Sequence, residues 1–203
     1  MHLVVRSFVV LLLSLYACIA LAQERPEVLL ERVTQEMLTA LKQNDAEIKR
    51  NHAKLVEIID KILVPHVDLH DMSRWVVGRN AWLKASASEK TRFAQEFKDL
   101  MIRTYSSSLT AYSNQEIIYK PIRGSLEGKK RVQVSSQIIE PGRSPIQVSY
   151  RLVLKGGGWK VYDIIIEGVS LLKGFKSQFE ADIQEHGLEK VIEKMKTHNQ
   201  KPR

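Results

Sequence analysis

Trp159-Lys160-Val161-Tyr162-Asp163-Ile164-Ile165-Ile166-Glu167-Gly168-Val169-Ser170-Leu171-Leu172-Lys173-Gly174-Phe175-Lys176-Ser177-Gln178-Phe179 reads as a strand, a sharp exit and an amphipathic helix. The strand, expected over Lys160 to Glu167, leaves Gly156-Gly157-Gly158, where positive φ costs little and a hairpin turn is expected. Gly168 ends it. A helix is expected near Ser170–Glu185 and another near Leu188–Lys196, with polar, frayed residues from Thr197 onward.

Outward from that stretch the period stays at two. Pro145 to Lys155 places Ile146, Val148, Tyr150, Leu152 and Leu154 on one face and Gln147, Ser149 and Arg151 on the other. Lys130 to Glu140 places Val132, Val134, Ser136 and Ile138 together, before a Pro141-Gly142 turn. Ile117 to Tyr119 opens the strand region after Asn114. The pattern predicts a four-stranded antiparallel meander, one face covered by helices and the other more polar.

The first half has helical spacing. Leu29, Leu30, Val33, Met37, Leu38 and Leu41 form one stripe, and Ile48, Leu55, Ile58, Ile59 and Ile62 form a second in a helix expected over Glu47–Leu63, stopped by Pro65. A short helix is expected over Asp68–Val77, closed by Gly78. Ser86-Ala87-Ser88-Glu89 is a capping box. It opens a long helix with the stripe Phe93, Phe97, Leu100, Met101, Tyr105, Leu109 and Tyr112. Helices flanking a block of strands make the fold class α+β, with no repeat and no low-complexity linker.

The first 22 residues read as a signal peptide. Arg6 is a basic start, Phe8 to Leu15 an apolar run too short to span a bilayer, and Ala20-Leu21-Ala22 a small-x-small cleavage site before Gln23. The rival reading, a lipoprotein signal with lipidated Cys18, fits less well because Tyr16 is bulky where small residues are expected. Cleavage after Ala22 removes the only cysteine, leaving one domain, 23–203, held by its hydrophobic core without disulfides. The 31 Lys+Arg against 23 Asp+Glu raise nucleic acid as a partner, but export points instead to an anionic membrane surface or lipid headgroup.

Catalytic and metal patterns fail one by one. His66 and His70 lie four apart beside Asp68 and Asp71, but Val67 stands where a His-Glu-x-x-His glutamate would be, and Asp68 is well explained as a helix N-cap. The glycine triplet precedes a strand and lacks a following Lys-Ser/Thr. Gly168-Val169-Ser170 has Leu172 where a nucleophile elbow needs a second glycine. Asp163 and Glu167 stand roughly 13 Å apart along a strand, too far to work on one bond, and ion pairing with a Lys or Arg of the neighbouring strand is expected of them.

Two segments resemble a known family. One is Trp159 to Phe179. The other is Gly78-Arg79-Asn80-Ala81-Trp82, followed by Phe93, Phe97, Leu100, Thr104-Tyr105, Leu109 and Tyr112. Together they resemble the Mla-pathway periplasmic phospholipid carriers, the MlaC or toluene-tolerance family. The chain departs at Gly174-Phe175-Lys176, where family members commonly carry an aromatic–arginine pair. Lysine loses the bidentate fork, so that position is given no headgroup role.

The resemblance implies a twisted antiparallel sheet packed on helices around an apolar acyl-chain pocket. It also implies a periplasmic shuttle between an inner-membrane ABC lipid transport complex and an outer-membrane lipoprotein–porin complex, maintaining outer-membrane lipid asymmetry. An acyl chain of about 16 carbons costs on the order of 10 kcal/mol to place in water, so a carrier must supply an apolar interior. On that fold, periodicity makes Phe97, Met101, Tyr105 and Leu109 the helical pocket candidates, and Val134, Val148, Tyr150, Leu152, Tyr162, Ile164 and Ile166 the sheet candidates. Expected are a monomer, no cofactor beyond the lipid cargo, no metal, no nucleic acid and no enzymatic activity. The alternatives are a small exported hydrolase of lipid-like esters and a protein-binding adaptor.

Overall fold

The computed structural model describes residues 23–110 and 115–201. The expected signal segment 1–22 with Cys18, and Tyr112 and Asn114, lie outside them.

Helix α1 (Pro26–Gln43) starts on a proline, whose missing N–H is no loss at the first helical position. It turns Leu29, Leu30, Val33 and Met37 inward. The single helix expected over Glu47–Leu63 is two, α2 (Asp45–Arg50) and α3 (His52–Ile62). Asn51 divides them: it is extended, and its side-chain oxygen accepts from Ala53 N. A short polar side chain competing for backbone N–H favours such a cap over a helix interior.

A 3-10 turn, Val64–His66, leads to α4 (Leu69–Val77), capped by Asp68, which accepts from Asp71 N at 3.1 Å. Gly78, at φ 82°, joins α4 to the short α5 (Arg79–Lys84), which buries Trp82. Helix α6 (Ala87–Thr110) opens on the expected capping box: Glu89 N donates to Ser86 Oγ at 3.2 Å and Ser86 N to the Glu89 carboxylate at 2.8 Å. The Ser86 hydroxyl, donating to the Glu89 carboxylate at 2.7 Å, and the Ser86 N–H hold the Glu89 carboxyl below its ordinary pKa. Ser86→Ala should cost about 1 kcal/mol, read as a lower urea midpoint at unchanged m-value. An unmoved midpoint would mean the cap contributes nothing.

The sheet is an antiparallel meander in the order β1 (Glu116–Tyr119), β2 (Arg131–Ile139), β3 (Ile146–Lys155), β4 (Gly158–Ile166), β5 (Val169–Ser170). Among the described residues it has five strands instead of the expected four. Glu167 (φ 48°) and Gly168 (φ 80°) form a left-handed pair of the kind tight hairpins use, and fold Val169–Ser170 back onto Ile165–Ile166. Glu167 is thus a turn residue, outside the strand expected to contain it. It tolerates left-handed backbone because its N–H donates to Gln147 O at 2.9 Å and its carboxylate accepts from Gln147 N. No Lys or Arg pairs with it among the described residues.

Cross-strand register carries a second departure. Arg151 faces Asp163, but Leu152 faces Val161, so Tyr162 is the extra residue of a β-bulge. The bulge reverses the alternation on the N-terminal side of Asp163. Val161 and Trp159 now join Ile164, while Tyr162 packs against the helical core with the Arg131 guanidinium 5.1 Å from its ring centroid.

Helix α7 (Leu171–Asn199) is broken at Gly187 (φ 80°, ψ 168°) into segments 171–186 and 188–199, close to the two helices expected. Asp182 and Lys194 pair across the break at 2.9 Å. Buried Asp163 accepts from Ser170 Oγ, from Leu172 N at 3.3 Å and from Arg151 at 3.2 Å, so one carboxylate anchors the start of α7 and pairs across the sheet.

Three apolar clusters result among the described residues. The sheet strip Val134, Leu152, Trp159 and Val161 packs on Leu29, Leu30 and Val33 of α1. Helices α4 to α7 share a larger core that includes Phe93, Phe97, Phe175, Phe179 and Ile192. Met37, Leu55, Ile58, Ile59 and Ile102 join α1, α3 and the far face of α6. Helix α6 therefore stands between two cores.

Candidate functional site

Two of the cavities beside the C-terminal half of α6 are candidates for an acyl-chain site. The larger, about 1030 Å³, lies among α1, α2, α3 and the end of α6, and beside residue 115. Leu38, Leu41, Ile48, Leu55 and Leu109 line it, but so do Lys42, Asp45, Lys49, Ser106, Ser107 and Thr110. The smaller, about 760 Å³, lies between α6 and both segments of α7, under β5. Its walls are Leu100, Tyr105, Val169, Leu171, Phe175, Phe179, Val191 and Met195, with Gly174 between them; Thr104, Gln178, Asp182, Lys194 and His198 are polar. Ligand cavities span about 300–1,000 Å³, so volume does not separate the two. Lining does: an acyl chain gains its transfer energy only against apolar surface. The α6–α7 cavity is the better acyl-chain site, because its floor is the exposed side of the largest apolar core.

Local sequence explains why α7 builds that floor. Leu172, Phe175, Phe179 and Ile183 recur at helical spacing and are buried. Gly187 reverses the path, and Val191, Ile192 and Met195 repeat the stripe from the other side. Gly174 lies between Leu171 and Phe175, and apart from its chain neighbours and its own helix backbone no atom stands within 4 Å of where a Cβ would be.

The candidates read from periodicity divide among these places. Tyr105 is in the α6–α7 cavity wall, and Phe97 and Met101 belong to the core behind it. Burial raises the Tyr105 phenol pKa and keeps it neutral. Leu109 lines the other cavity. Val134, Tyr150, Leu152 and Ile164 lie in the cluster between sheet and α1, and Tyr162 packs with the helices. Val148 pairs with Ile166, and Ile166 with Val169 of the cavity wall, so an apolar row leads from the cavity onto the sheet. Its outer members are exposed, Ile166 by 36% and Val169 by 66%. The lining residues Leu100, Phe175, Phe179, Val191 and Met195 are not among those candidates, although the α6 stripe signals the first and the α7 stripe the others.

Tyr119 and Tyr150 of the sheet are held by their neighbours. The Tyr119 hydroxyl lies 2.7 Å from Thr34 Oγ1, and its ring 5.9 Å from that of Tyr150. Burial raises both phenol pKa values. Ser170 borders the cavity, but its hydroxyl donates to Asp163 and accepts from Lys173 N at 3.2 Å, the bonds of a helix cap. Asp68, His70 and Asp71 bring three possible metal-ligating atoms within 4.8 Å of one another. The two Asp68 oxygens there already accept from Asp71 N and from Lys155 Nζ at 2.8 Å, and the His70 ring stands edge-on to Trp82 at 5.2 Å. Burial and the nearby Arg32 and Lys160 lower the His66 pKa, favouring its neutral form.

Comparison with known proteins places this arrangement. Residues 31–197 match the family described as MlaC protein. The chain is 28% identical, over 94% of its length and 88% of the relative's, to the toluene tolerance protein ttg2D of Pseudomonas putida. It is 28% identical, over 90% of its length and 86% of the relative's, to the intermembrane phospholipid transport system binding protein MlaC of Haemophilus influenzae. Among solved structures it resembles the phospholipid-binding protein from Ralstonia solanacearum in complex with a phospholipid. The TM-score is 0.79 at 28% identity, covering 87% of this chain and 97% of that one.

Proposed function

The chain belongs to the MlaC protein family, and on that premise we propose that it is a phospholipid-binding carrier that shelters acyl chains in the cavity between α6 and α7. The observation that carries the reading is the apolar lining of that cavity, in a fold shared with a protein solved in complex with a phospholipid. The cargo's headgroup stays near water while its chains leave it. The carrier works in the periplasm, without catalysing a reaction or needing a cofactor. It takes lipid from one membrane complex and yields it to another, an outer-membrane lipoprotein–porin complex and an inner-membrane ABC transporter being the partners. No described helix is long and apolar enough to cross a membrane. With no nucleotide-binding motif in the sequence, the free energy for directed transfer comes from the partner.

Gly174 supplies the test. Its backbone is helical and its Cβ direction is open. Gly174→Ala should raise stability by about 0.5–1 kcal/mol and leave lipid bound. Gly174→Trp should keep the fold and fill the cavity, so native mass spectrometry of the purified protein should show phospholipid on the wild type and little on this variant. Full lipid occupancy of a folded Gly174→Trp protein would move the site elsewhere. Lipid-free wild type that turns over an ester substrate would make the protein a hydrolase instead.

A further inference from the structure

The apolar cavity meets a smaller surface cleft of about 350 Å³, and Lys194 and His198 line both. Lys190, Glu193, Thr197 and Lys201 complete the cleft. Lys194 and His198 are four apart on one helix and so share a face, with Val191 and Met195 on the adjoining apolar stripe. A single helical segment thus presents an apolar wall to one side and cations to the other. Glu193, the acidic residue of the cleft, is 3.9 Å from Arg92, a guanidinium that it shares with Glu189. Lys194 is paired with partly exposed Asp182. Lys190 and Lys201 make no side-chain ion pair among the described residues.

We propose that this cleft seats the anionic phosphate headgroup of the bound lipid and makes the site prefer lipids of net negative charge over zwitterionic lipids with the same chains. The inference rests on reading the adjoining cavity as the acyl-chain site. An amphipathic ligand needs the two halves side by side, since its phosphate is costly to desolvate and its chains are costly to hydrate. A phosphate in the cleft competes with Asp182 for Lys194, and Asp182 stays hydrated when it is displaced. A zwitterionic headgroup brings its own ammonium, which offsets the attraction of the lysines. A net anionic headgroup does not.

The test uses the exported protein and vesicles of phosphatidylglycerol or phosphatidylcholine with identical chains, with bound lipid counted by mass spectrometry. Wild type should take up the anionic lipid roughly fivefold over the zwitterionic one, the scale expected of a lysine near an anionic headgroup, and added salt should shrink the ratio. Lys190→Glu with Lys201→Glu should bring the ratio to one or below, by a larger loss of anionic than of zwitterionic lipid, while leaving the thermal midpoint unchanged. Arg103 donates to the Lys201 backbone carbonyl, a contact this substitution keeps. An unchanged ratio in the folded double variant overturns the headgroup assignment and leaves the carrier reading standing, whereas wild type that takes up neither lipid overturns both. Inorganic phosphate that binds wild type and Gly174→Trp alike without displacing lipid would make the cleft a free-anion site and overturn the proposal.

Discussion

Leu152→Arg should prevent the protein from folding. Leu152 is fully buried, facing Val132 and Val161 across the sheet and packed in the cluster that α1 closes with Leu29, Leu30 and Val33. An arginine there must bury an unpaired guanidinium, and the penalty is several kcal/mol. That consumes much of a typical total stability of about 5–15 kcal/mol. Circular dichroism and a urea titration should show no cooperative transition. A folded variant with a native midpoint would mean that this strip has free volume and belongs to the ligand site.

Phe97→Ala should cost about 3–5 kcal/mol while leaving the protein folded at low temperature. Phe97 is fully buried in the core behind the proposed site, 5.8 Å from the Phe93 ring and edge-on to Phe175 at 5.0 Å. Truncation removes aromatic contacts on both sides. Because α6 and α7 hold each other through Phe175 and Phe179, relaxation into the void would also move the floor of the cavity. The readout is the shift in denaturant midpoint at unchanged m-value. A loss below ~1 kcal/mol would contradict tight packing at this position.

Punctuation made much of this fold legible. Gly156 and Gly157 form the hairpin turn between β3 and β4, Ser86 and Glu89 cap α6, and positive φ at Gly168 and Gly187 ends the elements expected to end there. Signals that depend on a distant partner were less visible. Asn51 looks like any polar residue in an amphipathic run until its side chain caps Ala53 N. The strand β5 is two residues long, below the length at which alternation can be read. The bulge at Tyr162 leaves the apolar count of β4 unchanged but reverses which face each residue serves, so Tyr162 and Ile164 part company.

The site was legible only in part for a related reason. Period distinguishes inward from outward positions, and Leu152 and Leu100 are inward alike. What makes one a packed residue and the other a cavity wall is whether a side chain stands opposite. Here that is decided by the return of α7 at Gly187, which leaves space between its two segments and α6.

The central claim is that acyl chains lie between α6 and α7. A phospholipid carrying a photoactivatable group near the end of one acyl chain, loaded from vesicles and irradiated on the protein, tests it most directly. Peptide mapping should place the adducts on Leu100, Tyr105, Phe175, Phe179 or Met195, and Gly174→Trp should abolish them. Adducts on Leu38, Leu41, Leu55 or Leu109 would put the chains in the cavity on the other side of α6 and contradict the account.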